Sequence, residues 1–185
     1  SILGVDVAAC SRVRARDKVF EMLRETGLHM VFTPNSEIIM LARKNKAFQD
    51  ILNQADLCTA DGIGVVYGAK ILGTPIPERV AGFDLLTDVL QHANDLSVYL
   101  FGSKPGVAEK AKAEMEHRFA GVHVVGTQNG YFDEAQEQLI LADIREKQPD
   151  LLLVCLGAPK QEQWIWQHRE EIGAKVVMGL GGSLD

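Results

Sequence analysis

Asp61 follows the apolar-rich segment Ala55–Ala60 and precedes Gly62. At the end of a buried strand, a partly shielded carboxylate can take a proton as a general base. The same position suits the N-cap of the helix expected over residues 62–73, and the two roles are compatible. Three further places carry groups that hold anions. Gly102–Gly106 leads into a helix start, where backbone N–H groups can cradle a phosphate or simply form a tight turn. In Gly157-Ala158-Pro159-Lys160-Gln161-Glu162-Gln163, Lys160 falls in a first helical turn, where the helix dipole opposes a cation. A ligand phosphate would rationalise that lysine, and an inert exposed lysine is the plain alternative. Arg79, after Pro75 and Pro77, can fork onto phosphate or carboxylate, or form a surface ion pair.

Other chemistry is poorly supported. Gly62-Ile63-Gly64-Val65-Val66-Tyr67-Gly68 falls one place short of a dinucleotide fingerprint, and no acidic residue closes a following strand to hold a ribose. Helix–strand packing explains these glycines equally well. The histidines show no metal-binding spacing, so no metal is expected. Cys10, Cys58 and Cys155 form no C-x-x-C pair and read as buried hydrophobes in a reducing compartment. Trp164 and Trp166 read as packing residues.

Positioning these residues requires a scaffold, and the chain alternates short β-rich runs with helical patterns. The runs are Ile2–Val7, Leu28–Thr33, Leu57–Ala60, Val98–Phe101, Val122–Val125, Leu151–Leu156 and Val176–Leu180. Helices are expected over Arg14–Glu25, Ser36–Asn45 continuing into Ala47–Gln54, Phe83–Asn94, Pro105–Phe119 (with Pro105 in its first turn), Glu134–Lys147 and Gln161–Ile172. Leu151–Leu156 is apolar without alternation, as in a strand buried on both faces. The expected fold is therefore one α/β domain over residues 1–185, with a Rossmann-like, mainly parallel sheet and helices on both faces. Ligands of such sheets bind beyond the carboxyl ends of the strands. The turns after the strands should then converge on one rim.

With 185 residues, 46% hydrophobic, the chain can bury a sizeable core. A net charge of −6 with no basic block argues against nucleic acid as a partner. The longest apolar run is far shorter than the roughly 20 residues of a membrane-spanning helix, so the protein is expected to be soluble.

Taken together and in order, several segments resemble the WecG/TagA/CpsF glycosyltransferase family. They are Thr33-Pro34-Asn35, Ala60-Asp61-Gly62-Ile63-Gly64, Glu78-Arg79-Val80-Ala81-Gly82-Phe83-Asp84, Phe101-Gly102 with Pro105-Gly106, Gly130-Tyr131-Phe132, the Gly157–Glu162 turn, and Gly179-Leu180-Gly181-Gly182 with Asp185. Within the family the chain looks most like the TagA branch, N-acetylmannosaminyltransferases of wall teichoic acid synthesis. The resemblance implies a UDP-N-acetylmannosamine donor, an undecaprenyl-diphosphate-linked N-acetylglucosamine acceptor, a β-1,4 product formed with inversion, and no metal or other cofactor. It implies Asp61 as base, with Thr33, Asn35, Arg79, Gly102, Tyr131, Gly157, Pro159, Lys160, Gln161, Glu162, Gln163, Gly182 and Asp185 contacting substrate. It also implies a cytoplasmic enzyme, peripheral at the inner face of the membrane, and a homo-oligomer of two or more subunits. Family members continue past Asp185 with an arginine-containing tail, and Leu184 stands where an aromatic is usual. The tail is expected to supply phosphate-binding arginines and the membrane contact. A related hexosyl or N-acetylmannosaminuronic acid transferase, an NAD(P)-binding oxidoreductase and a non-catalytic sugar-nucleotide-binding module are the alternatives.

Overall fold

The computed structural model describes residues 1–182 and residue 184; Asp185, a substrate contact implied by the resemblance, lies outside the described residues. Helix α1 (Arg12–Arg24) and strand β1 (His29–Phe32) open the fold. They are followed by α2 (Ser36–Lys44), α3 (Lys46–Asn53) and β2 (Leu57–Cys58), then by α4 (Ile63–Ile71), α5 (Gly82–Gln91) and β3 (Leu96–Gly102). The order continues with α6 (Val107–Arg118), β4 (Val122–Gln128), α7 (Glu134–Lys147), β5 (Leu151–Cys155), α8 (Lys160–Gln167) and β6 (Val176–Gly179).

The six strands form one sheet in the order β2-β1-β6-β5-β3-β4, and every pairing is parallel. Alternate residues feed two cores. Tyr99, Phe101, Leu152 and Val154 join one core, with residues of α2, α3, α4, α7 and α8. Val98, Leu100, Leu151 and Leu153 join the other, with residues of α1, α5 and α6. Full burial of one such aliphatic side chain stabilises the fold by about 1.5–3 kcal/mol, so a strand buried on both faces holds firmly.

The distribution of helices follows from the connections. Going from β3 to β4 the chain moves one way along the sheet, and α6 lies on one face. From β4 to β5 and from β5 to β6 it moves the other way, and α7 and α8 lie on the opposite face. A single hand of crossover requires this split. Beside β3 and β5, the connections therefore leave in opposite directions, which opens a crevice at the carboxyl edge.

Four local expectations are corrected. Ile2–Val7 is not a strand: Ile2 and Val5 exchange backbone hydrogen bonds of 2.7 and 3.0 Å across a tight turn that sends both side chains into the core. Residues 36–53 form two helices, because Asn45 ends α2 and its side chain caps α3 by accepting the Phe48 N–H at 3.1 Å. Pro105 precedes α6 rather than opening it, since Gly106 at φ 87° is the cap. Helix α8 stops at Gln167, and residues 168–171 form turns in which the N–H groups of Glu171 and Ile172 both return to the His168 carbonyl. Trp164 packs as expected: it is buried, edge-on to Phe101, and donates Nε1–H to Glu137 at 2.9 Å.

Candidate functional site

Two cavities open at the carboxyl edge of the sheet, of about 430 and 420 Å³, and they share Gly181 and Gly182 after β6. Thr33, Asn35, Asp61 and Gln161 line the first. Ser103, Lys104, Tyr131, Gly157 and Lys160 line the second, over the crevice between β3 and β5.

Asp61 reaches the first cavity because its backbone is tied across to β1: its N–H donates to the Pro34 carbonyl at 3.1 Å. It does not cap α4, whose cap is Gly62 with no side-chain bond. Its Oδ2 instead faces the first N–H of α5, that of Gly82, at 3.4 Å. Its Oδ1 lies 3.7 Å from Arg79 Nε. A helix N-terminus and a guanidinium both favour negative charge here. Both contacts are long, so each oxygen retains a lone pair for another hydrogen bond.

The approach of α5 depends on Gly82. A Cβ there would stand 2.7 Å from Thr33 Oγ1 and 2.9 Å from Leu180 Cδ2, so glycine lets the helix end enter the site without displacing either side chain. Arg79 lies in a segment without regular structure, yet that segment is pinned. The Val80 N–H donates to the Ala60 carbonyl at 2.9 Å, and Thr59 Oγ1 donates to the Val80 carbonyl at 2.9 Å. Thus the surface ion pair considered for Arg79 exists, and its partner is Asp61. The Arg79 side chain is 50% exposed, and such a pair is worth about 1 kcal/mol or less, so a bound phosphate can take over the guanidinium at little cost.

Asn35 caps α2, its Oδ1 accepting the Ile38 N–H at 2.9 Å, and it lines the first cavity. Gln161 is 3% exposed and acts as a strut. Its Oε1 accepts from the N–H groups of Gly157 at 3.2 Å and Gly181 at 2.9 Å, fixing the turns after β5 and β6 to each other. Its Nε2 donates to Glu162 Oε1 at 2.8 Å.

Glu162 is buried and borders neither cavity. Burial pushes its carboxyl up from the usual range, against the hydrogen bonds from Gln161 and its own backbone. Cys58 is also closed in: burial first, then Asp6 and Glu162, pushes its thiol up to about 12, as befits an inert cysteine.

In the second cavity, Gly102 has φ 130°, and a Cβ would meet the Cys155 carbonyl oxygen at 2.3 Å, so the turn after β3 can lie against β5 only with glycine. Lys160 is the first residue of α8, with Nζ 4.9 Å from the Phe132 ring centroid. The ring face supports a cation that the helix dipole opposes. Tyr131 is exposed at the cavity wall. Pro159 follows a cis peptide bond at the start of α8, and Gln163 is exposed on that helix; neither is among the residues lining these two cavities. Sequence reasoning passed over Ser103, Lys104 and Glu37, which do. Lys104 was discoverable as the cation inside the Gly102–Gly106 turn. The glycines of α4 do not pack on a strand: Gly64 faces Ser36 of α2, and a Cβ on Gly68 would meet open space.

A family model described as "Glycosyl transferase WecG/TagA/CpsF family" matches residues 1–185. The chain is also similar to proteins called N-acetylglucosaminyldiphosphoundecaprenol N-acetyl-beta-D-mannosaminyltransferase. Those of Staphylococcus aureus strains MRSA252 and NCTC 8325 / PS 47 are each 32% identical over 188 residues, covering all of this chain and 73% of the relative.

Proposed function

The chain belongs to the WecG/TagA/CpsF glycosyltransferase family, and on that footing we propose that it moves N-acetylmannosamine from UDP-N-acetylmannosamine to undecaprenyl-diphosphate-linked N-acetylglucosamine. The product is a β-1,4 linkage formed with inversion, as part of cell-wall polymer synthesis at the inner face of the membrane. One observation carries the reading: a carboxylate oriented by a guanidinium and a helix N-terminus faces a cavity that shares Gly181 and Gly182 with a second cavity bearing two lysines.

In this reading the donor diphosphate lies toward Lys104, Lys160 and the Gly102 turn, and its sugar extends toward Asp61. The acceptor hydroxyl oxygen attacks the anomeric carbon as its proton passes to the Asp61 carboxylate. The bond from the anomeric carbon to the β-phosphate oxygen breaks, and its electron pair leaves with UDP. Cations and backbone N–H groups preplaced at the diphosphate stabilise the charge that develops there. Asn35 and Thr33, which flank Asp61 through the Pro34 carbonyl, orient the sugar, while Gln161 keeps the two turns in register.

The test is transfer from a panel of UDP-sugars to a soluble lipid-diphosphate N-acetylglucosamine analogue. UDP-N-acetylmannosamine is expected to be the preferred donor; preference for a uronic acid donor would reassign the sugar. Asp61→Asn is expected to lower turnover by about 10²–10⁴-fold, the usual contribution of a general base. Donor binding by calorimetry should stay within a few-fold. Retained turnover would remove Asp61 as base.

A further inference from the structure

Among the described residues Glu162 is the one buried acidic residue, and the proposed reaction leaves it unused. Its Oε2 has no hydrogen-bond partner among those residues. Burying a carboxylate with an oxygen unpaired opposes folding. What the carboxyl holds is a single neighbouring side chain: Oε1 accepts from Gln161 Nε2 at 2.8 Å.

That bond decides which way the Gln161 amide points. The two ends of a side-chain amide are nearly equal in size, and only their partners distinguish oxygen from nitrogen. A backbone N–H can only donate, and a carboxylate can only accept. Glu162 therefore draws Nε2 toward itself, and Oε1 turns to the N–H groups of Gly157 and Gly181, 3.2 and 2.9 Å away. The pairing of β6 with β5 ends at the Leu180 N–H, which donates to the Val154 carbonyl at 3.0 Å. One residue on, Gly181 has φ 59°, and its N–H goes to the Gln161 side chain. Beyond the ladder, then, the turn after β6 is tied to an amide that Glu162 aims. Gly181 and Gly182 of this turn line both cavities.

We propose that Glu162 is a positioning residue: by orienting the Gln161 amide it fixes the turn after β6, and so the wall common to both cavities. Without an acceptor at residue 162, Nε2 becomes a buried donor left unpaired, which carries the full desolvation penalty of that group. The amide relieves the penalty by swinging toward the first cavity, which Gln161 lines, and Gly181 is released. The kinetic consequence rests on the transfer reaction proposed above, whereas the behaviour of Gly181 does not.

The experiment compares wild type, Glu162→Leu and Glu162→Gln forms of the 185-residue protein. The measurements are NMR-detected amide hydrogen exchange, UDP calorimetry and transfer to the soluble acceptor analogue. Glu162→Leu is expected to speed exchange of the Gly181 N–H about tenfold or more, with the β5 and β6 amides unchanged. Its kcat should fall about ten- to hundredfold through misalignment, with KM and UDP affinity within about threefold. Glu162→Gln keeps an oxygen to accept from Nε2. It should return Gly181 exchange and kcat to within about threefold of wild type. Adding Glu162→Leu to Gln161→Leu should lower kcat by no more than about twofold further, since the two residues act in series. In the wild type, the Gln161 Nε2 protons should exchange about a hundredfold more slowly than those of an exposed glutamine, a test that needs no variant to fold. Fast exchange of those protons overturns the proposal. So does Gly181 exchange unmoved by Glu162→Leu, whether or not kcat falls, and so does a glutamine variant as impaired as the leucine one. If the wild type transfers nothing, the proposed reaction fails, and Gly181 exchange alone decides whether Glu162 sets the turn.

Discussion

Glu162 is the residue whose position departs most from its sequence reading. It was expected to touch substrate, and it is 2% exposed behind Gln161, with Oε2 lacking a hydrogen-bond partner among the described residues. A carboxyl whose folded-state pKa is raised is disfavoured in its ionised form by folding. Its cost is absent below the usual carboxylate range and is full once pH exceeds the raised value, so wild-type stability falls as pH rises through that interval. Glu162→Gln keeps an oxygen to accept from Gln161 Nε2 and removes the charge. It is expected to raise Tm at pH 8 by roughly 2–4 °C for each kcal/mol relieved in a domain of this size. The gain should vanish below about pH 4. Thermal melts across pH measure it, and donor affinity should not change, because Glu162 borders neither cavity.

The ends of helices, more than their lengths, build the site. Helix α5 brings its first N–H to Asp61 because Gly82 leaves no Cβ between Thr33 and Leu180. Gly82→Ala is expected to push the helix back, costing about 1–3 kcal/mol by overpacking. Turnover should fall with it, since Asp61 loses a partner that sets its direction. Urea denaturation and steady-state rates check the two effects separately. Turnover unchanged in a destabilised variant would show that the α5 end is only structural. Helix α8 works differently: its first two residues divide the labour, Lys160 facing the second cavity and Gln161 bridging two turns.

Across the whole molecule, the two edges of the sheet are built for different purposes. At the amino edge Asp150 joins three strands. Its Oδ2 accepts the Ser97 N–H of β3 at 3.0 Å, its own N–H donates to Ser97 Oγ at 2.8 Å, and Lys175, just before β6, lies 3.1 Å from Oδ1. Partial burial pushes the Asp150 carboxyl up, but the Ser97 hydrogen bonds and Lys175 outweigh it and hold it below the usual range. A lowered folded-state value stabilises above the unfolded value and is lost as pH falls through the folded one. Asp150→Asn is therefore expected to cost about 1.5–3 kcal/mol at pH 7, the scale of hydrogen bonds to a charged group. The difference from wild type should shrink as pH falls below about 4. Urea titrations at pH 7 and pH 3 give the comparison. At the carboxyl edge the ties run between turns instead: the Ser103 N–H donates to the Cys155 carbonyl at 2.9 Å and Gln161 joins the turns after β5 and β6, and the two cavities lie there.

By itself, the sequence determined the elements and the class of sheet. Leu151–Leu156 could only be a strand covered on both faces, and the alternation of such runs with helical patterns required parallel pairing. It also singled out Asp61, Gly102 and Lys160 in the stretches that follow buried strands, and Arg79 in a segment without regular structure before α5. It misjudged Ile2–Val7, where Gly4 turns two apolar residues into the core without a strand. Only the tertiary structure decided which of these groups meet. Hydrophobic periodicity reports burial along one segment and carries no information about partners distant in the chain. The Asp61–Arg79 pair, the Gly82 N–H at Asp61 and the Gln161 strut all join residues that are close only because the sheet order sets their turns side by side.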